Sequence, residues 1–212
     1  MPFSTRHVWL ENFYRYGAKC LIRVLYRCKF SGFEHIPPTG GAIVICNHIS
    51  YMDGLVLNAA IKRPIRFVID EAIYNVPAVN HFMTLNGAIP IAQNRQSVKL
   101  ALRQVSDAMK AGDLIVIFPE GSLTYTGNMT RFRFGVEWMA KRDNVIVIPI
   151  ALKGLWGSIF SRKHLRSKWC WMPRNIRRTV WAKCGQPIPA DQAQINHLQK
   201  VVMKLKNSID EE

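Results

Sequence analysis

Histidine and aspartate stand five residues apart in the stretch Cys46-Asn47-His48-Ile49-Ser50-Tyr51-Met52-Asp53. A neutral imidazole held by a carboxylate is a general base suited to neutral pH. The spacing restricts how the two can meet. On one continuous helix, at about 100° per residue, side chains five apart diverge by about 140°. They meet only if His48 precedes the helix and the turn folds it back over the first turn, where Asp53 sits. The flanking residues suit that arrangement. Gly41-Ala42-Ile43-Val44-Ile45 is an apolar run of the buried-strand kind. Ser50 suits a helix cap and Asp53 a first turn. The expectation is strand, polar turn, helix, with His48 in the turn. The same letters allow a purely structural use. Ser50-x-x-Asp53 resembles a capping box with Asp in place of Glu, and His48 is then an ordinary turn residue.

A second strand-like run, Leu114-Ile115-Val116-Ile117-Phe118, leads into Pro119-Glu120-Gly121-Ser122. Asn47-His48-x4-Asp53 and Phe118-Pro119-Glu120-Gly121 together resemble the glycerolipid acyltransferase family typified by bacterial 1-acylglycerol-3-phosphate acyltransferase. Gly87-Ala88-Ile89-Pro90-Ile91, with Arg95 after it, resembles the family's second block, and Val147-Ile148-Pro149-Ile150-Ala151-Leu152 its fourth. All four blocks occur in the family's order, over about residues 41–152.

The resemblance implies an O-acyltransferase. It would move a fatty acyl group from an acyl thioester (acyl-CoA or acyl-carrier protein) to the free hydroxyl of a lysophospholipid, with 1-acylglycerol-3-phosphate as the first expectation. It also implies His48 as the base, Asp53 as its orienting partner, and no cofactor or metal beyond the co-substrate. Asn47, Gly87, Arg95, Glu120, Gly121 and Ser122 would line the substrate site. Arg95 would face the phosphate, Glu120 and Gly121 would shape the headgroup pocket, and backbone N–H groups near Gly121 would receive the oxyanion. Two departures bear on the acceptor. The third block usually continues Gly-Thr-Arg, whereas here it runs Gly121-Ser122-Leu123-Thr124, and Arg95 sits slightly farther than usual from Gly87. The missing arginine, with Gly154-Leu155-Trp156-Gly157-Ser158 downstream, also resembles lysophosphatidylethanolamine-acylating proteins, which keeps another lysophospholipid as an alternative acceptor.

Charge is the unusual bulk property: +15, with a pI near 10.0. Such an excess of cation implies an anionic partner, whether lipid headgroups, an acidic carrier or nucleic acid. A non-catalytic basic module that binds membrane or nucleic acid is therefore the competing class; it requires neither His48 nor Asp53, and the reading adopted is an enzyme with no nucleic-acid partner. Residues 7–28 read as a helix whose Arg15, Lys19, Arg23 and Arg27 recur every four positions, beside Trp9 and Phe13. Such a helix suits a membrane interface, and equally a surface helix that covers the core with its charges solvated. Residues 154–178 combine aromatics with cations and lack Asp and Glu. Expected membrane contacts are Trp9, Arg15, Lys19, Arg23, Trp156, Phe160, Arg162 and Lys163, giving a peripheral protein on the cytoplasmic face of the inner membrane. The five cysteines lack zinc spacing and suit a reducing compartment. Neither a membrane-spanning run nor a signal peptide is evident.

These residues need a scaffold, and the periodicity supplies one. Strand-like runs at 41–45, 66–69, 114–118 and 145–152 alternate with helical patterns at 51–61, 78–85, 97–111 and 134–142. The expected fold is α/β: a single domain with a mostly parallel or mixed central sheet flanked by helices, and an N-terminal amphipathic helix. Residues 1–30 are assigned to that membrane-interface helix and 31–212 to the acyltransferase domain. In such sheets sites form beyond the carboxyl ends of strands, where both His48 and Glu120 fall.

Overall fold

The structure, a computed structural model, describes residues 8–158, 160–165 and 177–209, and the side chains from residue 16 onward within them apart from those of 78, 82, 164 and 165. The expected membrane contacts Trp9 and Arg15 lie outside the described side chains.

Helix α1 (Val8–Leu25) runs directly into strand β1 (Tyr26–Ser31). A short 3-10 turn at Phe33–His35 leads to β2 (Ala42–Cys46), α2 (Asp53–Ala60), β3 (Ile65–Asp70), α3 (Glu71–Tyr74), α4 (Pro77–Leu85) and β4 (Ile89–Ile91). Then follow α5 (Arg95–Lys110), β5 (Leu114–Ile117), α6 (Gly135–Asp143), β6 (Val147–Lys153), α7 (Arg162–Leu165), β7 (Arg178–Cys184) and α8 (Ile195–Ser208). The strands form one sheet in the order β1-β7-β6-β2-β5-β3-β4. All pairings are parallel except β6 with β7.

Strand alternation divides the core into two layers. Val44, Cys46, Val116, Ile148 and Leu152 face one side, where Ile22 of α1 and Val56 and Leu57 of α2 cover them. Ile43, Ile45, Ile115, Val147 and Ala151 face the other, against Val105 of α5, Val136 and Met139 of α6, and Leu198 and Val202 of α8. β2, β5 and β6 are thus buried on both faces, which is why they read as unbroken apolar runs. From β2 the chain crosses by α2 to β3, and from β5 by α6 to β6 on the far side of β2. The connections leave the neighbouring strands β2 and β5 in opposite directions, so a crevice forms beyond their carboxyl ends. Behind the sheet, Arg63 donates to the carbonyls of Pro37, Gly40 and Gly112, tying three loops together.

The helix expected over 7–28 ends earlier, at Leu25. Tyr26, Cys28 and Phe30 alternate with Arg27 and Lys29, and this period-two segment pairs along its length with β7. A 3-10 turn at Ala190–Gln192 precedes α8.

Candidate active site

β2 ends at Cys46, and Asn47 carries its ladder one step further by side chain. The Asn47 Nδ2 donates to the Leu152 carbonyl at 3.0 Å, and its Oδ1 accepts from the Leu152 N–H at 2.7 Å. Asn47 is 1 % exposed. An amide is the smallest group that can donate and accept in this way, so the side chain mimics a backbone pair. Expected at the substrate, Asn47 is committed instead to joining β2 and β6.

The chain then turns through His48-Ile49-Ser50 into α2. Asp53, the first residue of α2, is fully buried and reaches back. Its Oδ2 accepts from the Ile49 N–H at 2.6 Å and the Ser50 N–H at 3.0 Å, and lies 2.8 Å from His48 Nδ1. The capping reading and the catalytic reading of Asp53 therefore describe one atom. The carboxylate closes the turn and holds the imidazole by the same oxygen. A carboxylate only accepts, so in the neutral imidazole the shared proton sits on Nδ1 and the lone pair on Nε2. The His48 side chain is 20 % exposed while Asp53 is sealed. Ser50 does not complete a reciprocal box; its Oγ donates to the Phe160 carbonyl at 3.1 Å and accepts from the Met52 N–H.

The loop after β5 grips the other side of the turn. The imidazole stacks on Phe118 with ring centroids 4.0 Å apart and planes 15° from parallel. Glu120 Oε1 accepts the His48 backbone N–H at 2.7 Å, and the His48 carbonyl accepts from the Thr124 N–H at 3.0 Å. The other Glu120 oxygen accepts from the Thr130 N–H and hydroxyl at 2.6 and 2.7 Å. Glu120, expected to shape a headgroup pocket, is 4 % exposed and satisfied by protein donors. Gly121 follows with φ at +72°, a left-handed conformation that favours glycine, and its N–H is taken by the Phe118 carbonyl at 3.0 Å. That amide is not available to an oxyanion, whereas the neighbouring Ser122 is exposed.

Sequence reading missed Arg133. Its guanidinium lies over Gly121, so close that a β-carbon there would meet Arg133 Nε at 2.6 Å. The Arg133 N–H donates to the Pro119 carbonyl at 2.9 Å, which folds this cation back onto the loop. The third block lacks an arginine in sequence, and the fold brings the Arg133 guanidinium beside Gly121. Gly87 and Arg95 belong to the β4 edge, three strands from β2. Arg95 is exposed at the start of α5. Arg162 is partly buried, stacked 3.9 Å over Tyr125, while Lys163 is exposed. Trp156 packs on Gly127, and Phe160 is 38 % exposed.

A buried carboxylate orienting a partly open imidazole, at the carboxyl edge of a parallel sheet, is an arrangement for taking a proton from a bound hydroxyl or water. The comparisons with known proteins agree in kind. A family model described as Acyltransferase matches residues 27–153. The chain belongs to this acyltransferase family. Among its relatives, a 1-acyl-sn-glycerol-3-phosphate acyltransferase of Pseudomonas aeruginosa is 30 % identical over 158 residues, covering 71 % of this chain and 60 % of that one. A chloroplastic 1-acyl-sn-glycerol-3-phosphate acyltransferase of Arabidopsis thaliana is 26 % identical over 139 residues, 65 % of this chain. The match spans only 39 % of the Arabidopsis protein's length. The crystal structure of a 1-acyl-sn-glycerophosphate acyltransferase from Thermotoga maritima superposes with a TM-score of 0.72 at 20 % identity, over 98 % of this chain and 83 % of that one, a likeness of fold. The matched segment of this family member runs from β1 to the end of β6 and so contains His48, Asp53 and Glu120. Among the described residues no group of three or more His, Cys, Asp or Glu side chains is placed to hold a metal ion.

Proposed function

We propose that the protein transfers a fatty acyl group from a thioester to the free hydroxyl of 1-acylglycerol-3-phosphate, giving phosphatidic acid. The observation that carries this reading is the 2.8 Å contact between His48 Nδ1 and buried Asp53 Oδ2. It leaves His48 Nε2 as the base for an acceptor hydroxyl. That oxygen attacks the thioester carbonyl as its proton passes to Nε2, forming a tetrahedral oxyanion. The carbon–sulfur bond then breaks, and the departing thiolate takes the proton from the imidazolium, which Asp53 has stabilised meanwhile. No acyl-enzyme is needed, because the acceptor oxygen is itself the nucleophile. Phe118, Glu120 and Thr124 fix the ring and backbone of His48, so little reorganisation accompanies proton transfer.

Arg133 supports a phosphate-bearing acceptor. A guanidinium beside Gly121 offers bidentate donors to a phosphate on the β5 side of His48. The names of the relatives support lysophosphatidic acid over other acceptors. The acceptor is a bilayer lipid, so attachment to the cytoplasmic membrane surface belongs to the reading. Tyr16 and Val24 of α1 are 70 % and 69 % exposed, Arg23 is exposed beside them, and Tyr125 and Phe160 present apolar surface near the site. No described helix is long and apolar enough to cross a membrane.

Incubation of the purified protein with a labelled acyl thioester and a panel of lysophospholipids tests the proposal. Labelled phosphatidic acid from lysophosphatidic acid is expected. Labelled free fatty acid with every acceptor would replace acyl transfer by thioester hydrolysis, and product from lysophosphatidylethanolamine alone would move the assignment to that headgroup.

A further inference from the structure

Beside the His48 turn, lined mostly from β6 and β7, lies a cavity of about 620 Å³. Ile49, whose N–H donates to Asp53, forms part of its wall. The rest comes from the end of β6 and the loop after it, the start of β7, the last turn of α8 and, at Gly127, the loop after β5. Four of the lining residues are cations, Lys153, Arg177, Arg178 and Lys206, and none is an acid. Trp156 and Trp181 contribute two indoles. Strand register explains part of the grouping, since Lys153 and Trp181 are direct partners across the β6–β7 pair. Arg178 is held in place by donating to the Trp156 carbonyl at 2.9 Å, and Lys206 lies 3.4 Å from the Gly127 carbonyl.

Like charges gathered in a concave wall repel one another and raise the local potential for an anion. Lys206 registers that cost. Burial pulls its ammonium below the ordinary lysine value; Glu120 opposes the shift and Lys153 adds to it. An anion in the cavity would relieve both the burial and the repulsion.

We propose that this cavity binds the nucleotide end of a coenzyme A thioester, so that the acyl donor reaches His48 from the β6 side and the lysolipid from the β5 side. A coenzyme A molecule carries a diphosphate and a ribose phosphate on one adenosine, which matches several cations, whereas a lysophosphatidic acid offers a single phosphate. The purine offers a face to an indole, and a glycerol headgroup has none. The volume lies within the roughly 300–1,000 Å³ of small-ligand sites. A folded carrier protein would place only its phosphopantetheine arm in such a recess and would leave the indoles without a stacking partner.

The identity of the thioester rests on the acyl-transfer reading, and the test separates the two. Coenzyme A and adenosine 3′,5′-bisphosphate are titrated calorimetrically into the full chain, into Lys206→Gln and into Arg177→Asn. Asparagine at 177 tolerates the left-handed backbone found there. Acyl-CoA and lysolipid KM values are measured on the same three proteins. Loss of one charge-assisted contact is expected to weaken both ligands about tenfold in each variant. The acyl-CoA KM should rise by the same factor while the lysolipid KM holds, and Lys206→Arg should restore binding. Coenzyme A affinity unchanged in both variants would overturn the proposal. So would displacement of coenzyme A by glycerol 3-phosphate together with a raised lysolipid KM, which would make the cavity a headgroup site. A wild type that transfers no acyl group yet binds coenzyme A, with binding lost in the variants, would sink the acyl-transfer reading and leave the nucleotide site standing.

Discussion

The carboxylate of Glu120 accepts the backbone N–H of His48 at 2.7 Å, so the loop after β5 fixes the turn after β2. Three protein donors converge on that carboxylate, two of them from Thr130. Glu120→Ala would leave the part-buried His48 N–H without its acceptor and break two charge-assisted contacts at exposed Thr130, at a cost of about 3 kcal/mol. The expected Tm loss is about 6–12 °C for a domain of this size, checked by calorimetry. Activity should fall through kcat more than through KM, because the base is displaced and no substrate contact is lost. A large rise in acceptor KM with an unchanged Tm would instead return Glu120 to a headgroup role.

Asn47 makes a matching prediction on the opposite flank. Its amide both donates to and accepts from Leu152. Asn47→Asp keeps the acceptor and loses the donor, setting a carboxylate oxygen against the Leu152 carbonyl. The expected cost is about 1–3 kcal/mol, read as a shift of the denaturation midpoint. A variant as stable as wild type would show that the Leu152 contact does not hold β2 to β6.

Strand, turn and helix around His48 could be read from the sequence because each signal is local: an apolar run, a polar turn, then Ser50 and Asp53 at a helix start. The spacing allowed the pairing of His48 with Asp53 without requiring it, and the family resemblance carried by the other blocks selected it. The N-terminal boundary was misread because the four-residue spacing of Arg15, Lys19 and Arg23 runs on into Arg27, which masks the alternation that begins at Tyr26. The partners of Glu120 were not legible, since His48 lies 72 positions away and only sheet order brings the two loops together. Arg133 was hidden for a similar reason. It returns to Gly121 through a loop whose path no periodicity encodes.

Cysteine reactivity offers a check on the packing that requires no substrate. Cys46 is fully buried, and burial first, then the nearby Asp53 and Glu120 charges, push its thiol well above the ordinary value. Burial, with Glu34 adding to it, pushes Cys184 up to about 12. A raised thiol value favours the neutral, unreactive form, so at pH 8 both should resist iodoacetamide in the folded protein. Exposed Cys20 should react promptly. Peptide mapping by mass spectrometry reads this directly. Native labelling of Cys46 would contradict the sealed β2 end on which His48 is mounted.

Asp53→Asn separates the two uses of the Asp53 oxygen. An amide oxygen can still accept from Ile49 and Ser50, so the turn should survive with a Tm near that of wild type. Stabilisation of the imidazolium is lost, and kcat should fall about 10²–10⁴-fold. A Tm collapse equal to that of Asp53→Ala would mean that the charge itself is needed to build the turn.

The central claim is that His48 Nε2 takes the acceptor proton, and the most direct measurement is the rate of phosphatidic acid formation by His48→Ala. The imidazole lies partly open over Phe118, so its removal should leave the folded state intact by circular dichroism. Under saturating thioester and lysophosphatidic acid, the account predicts a loss of about 10²–10⁴-fold in kcat. A folded His48→Ala protein that turns over at a rate close to wild type would contradict it.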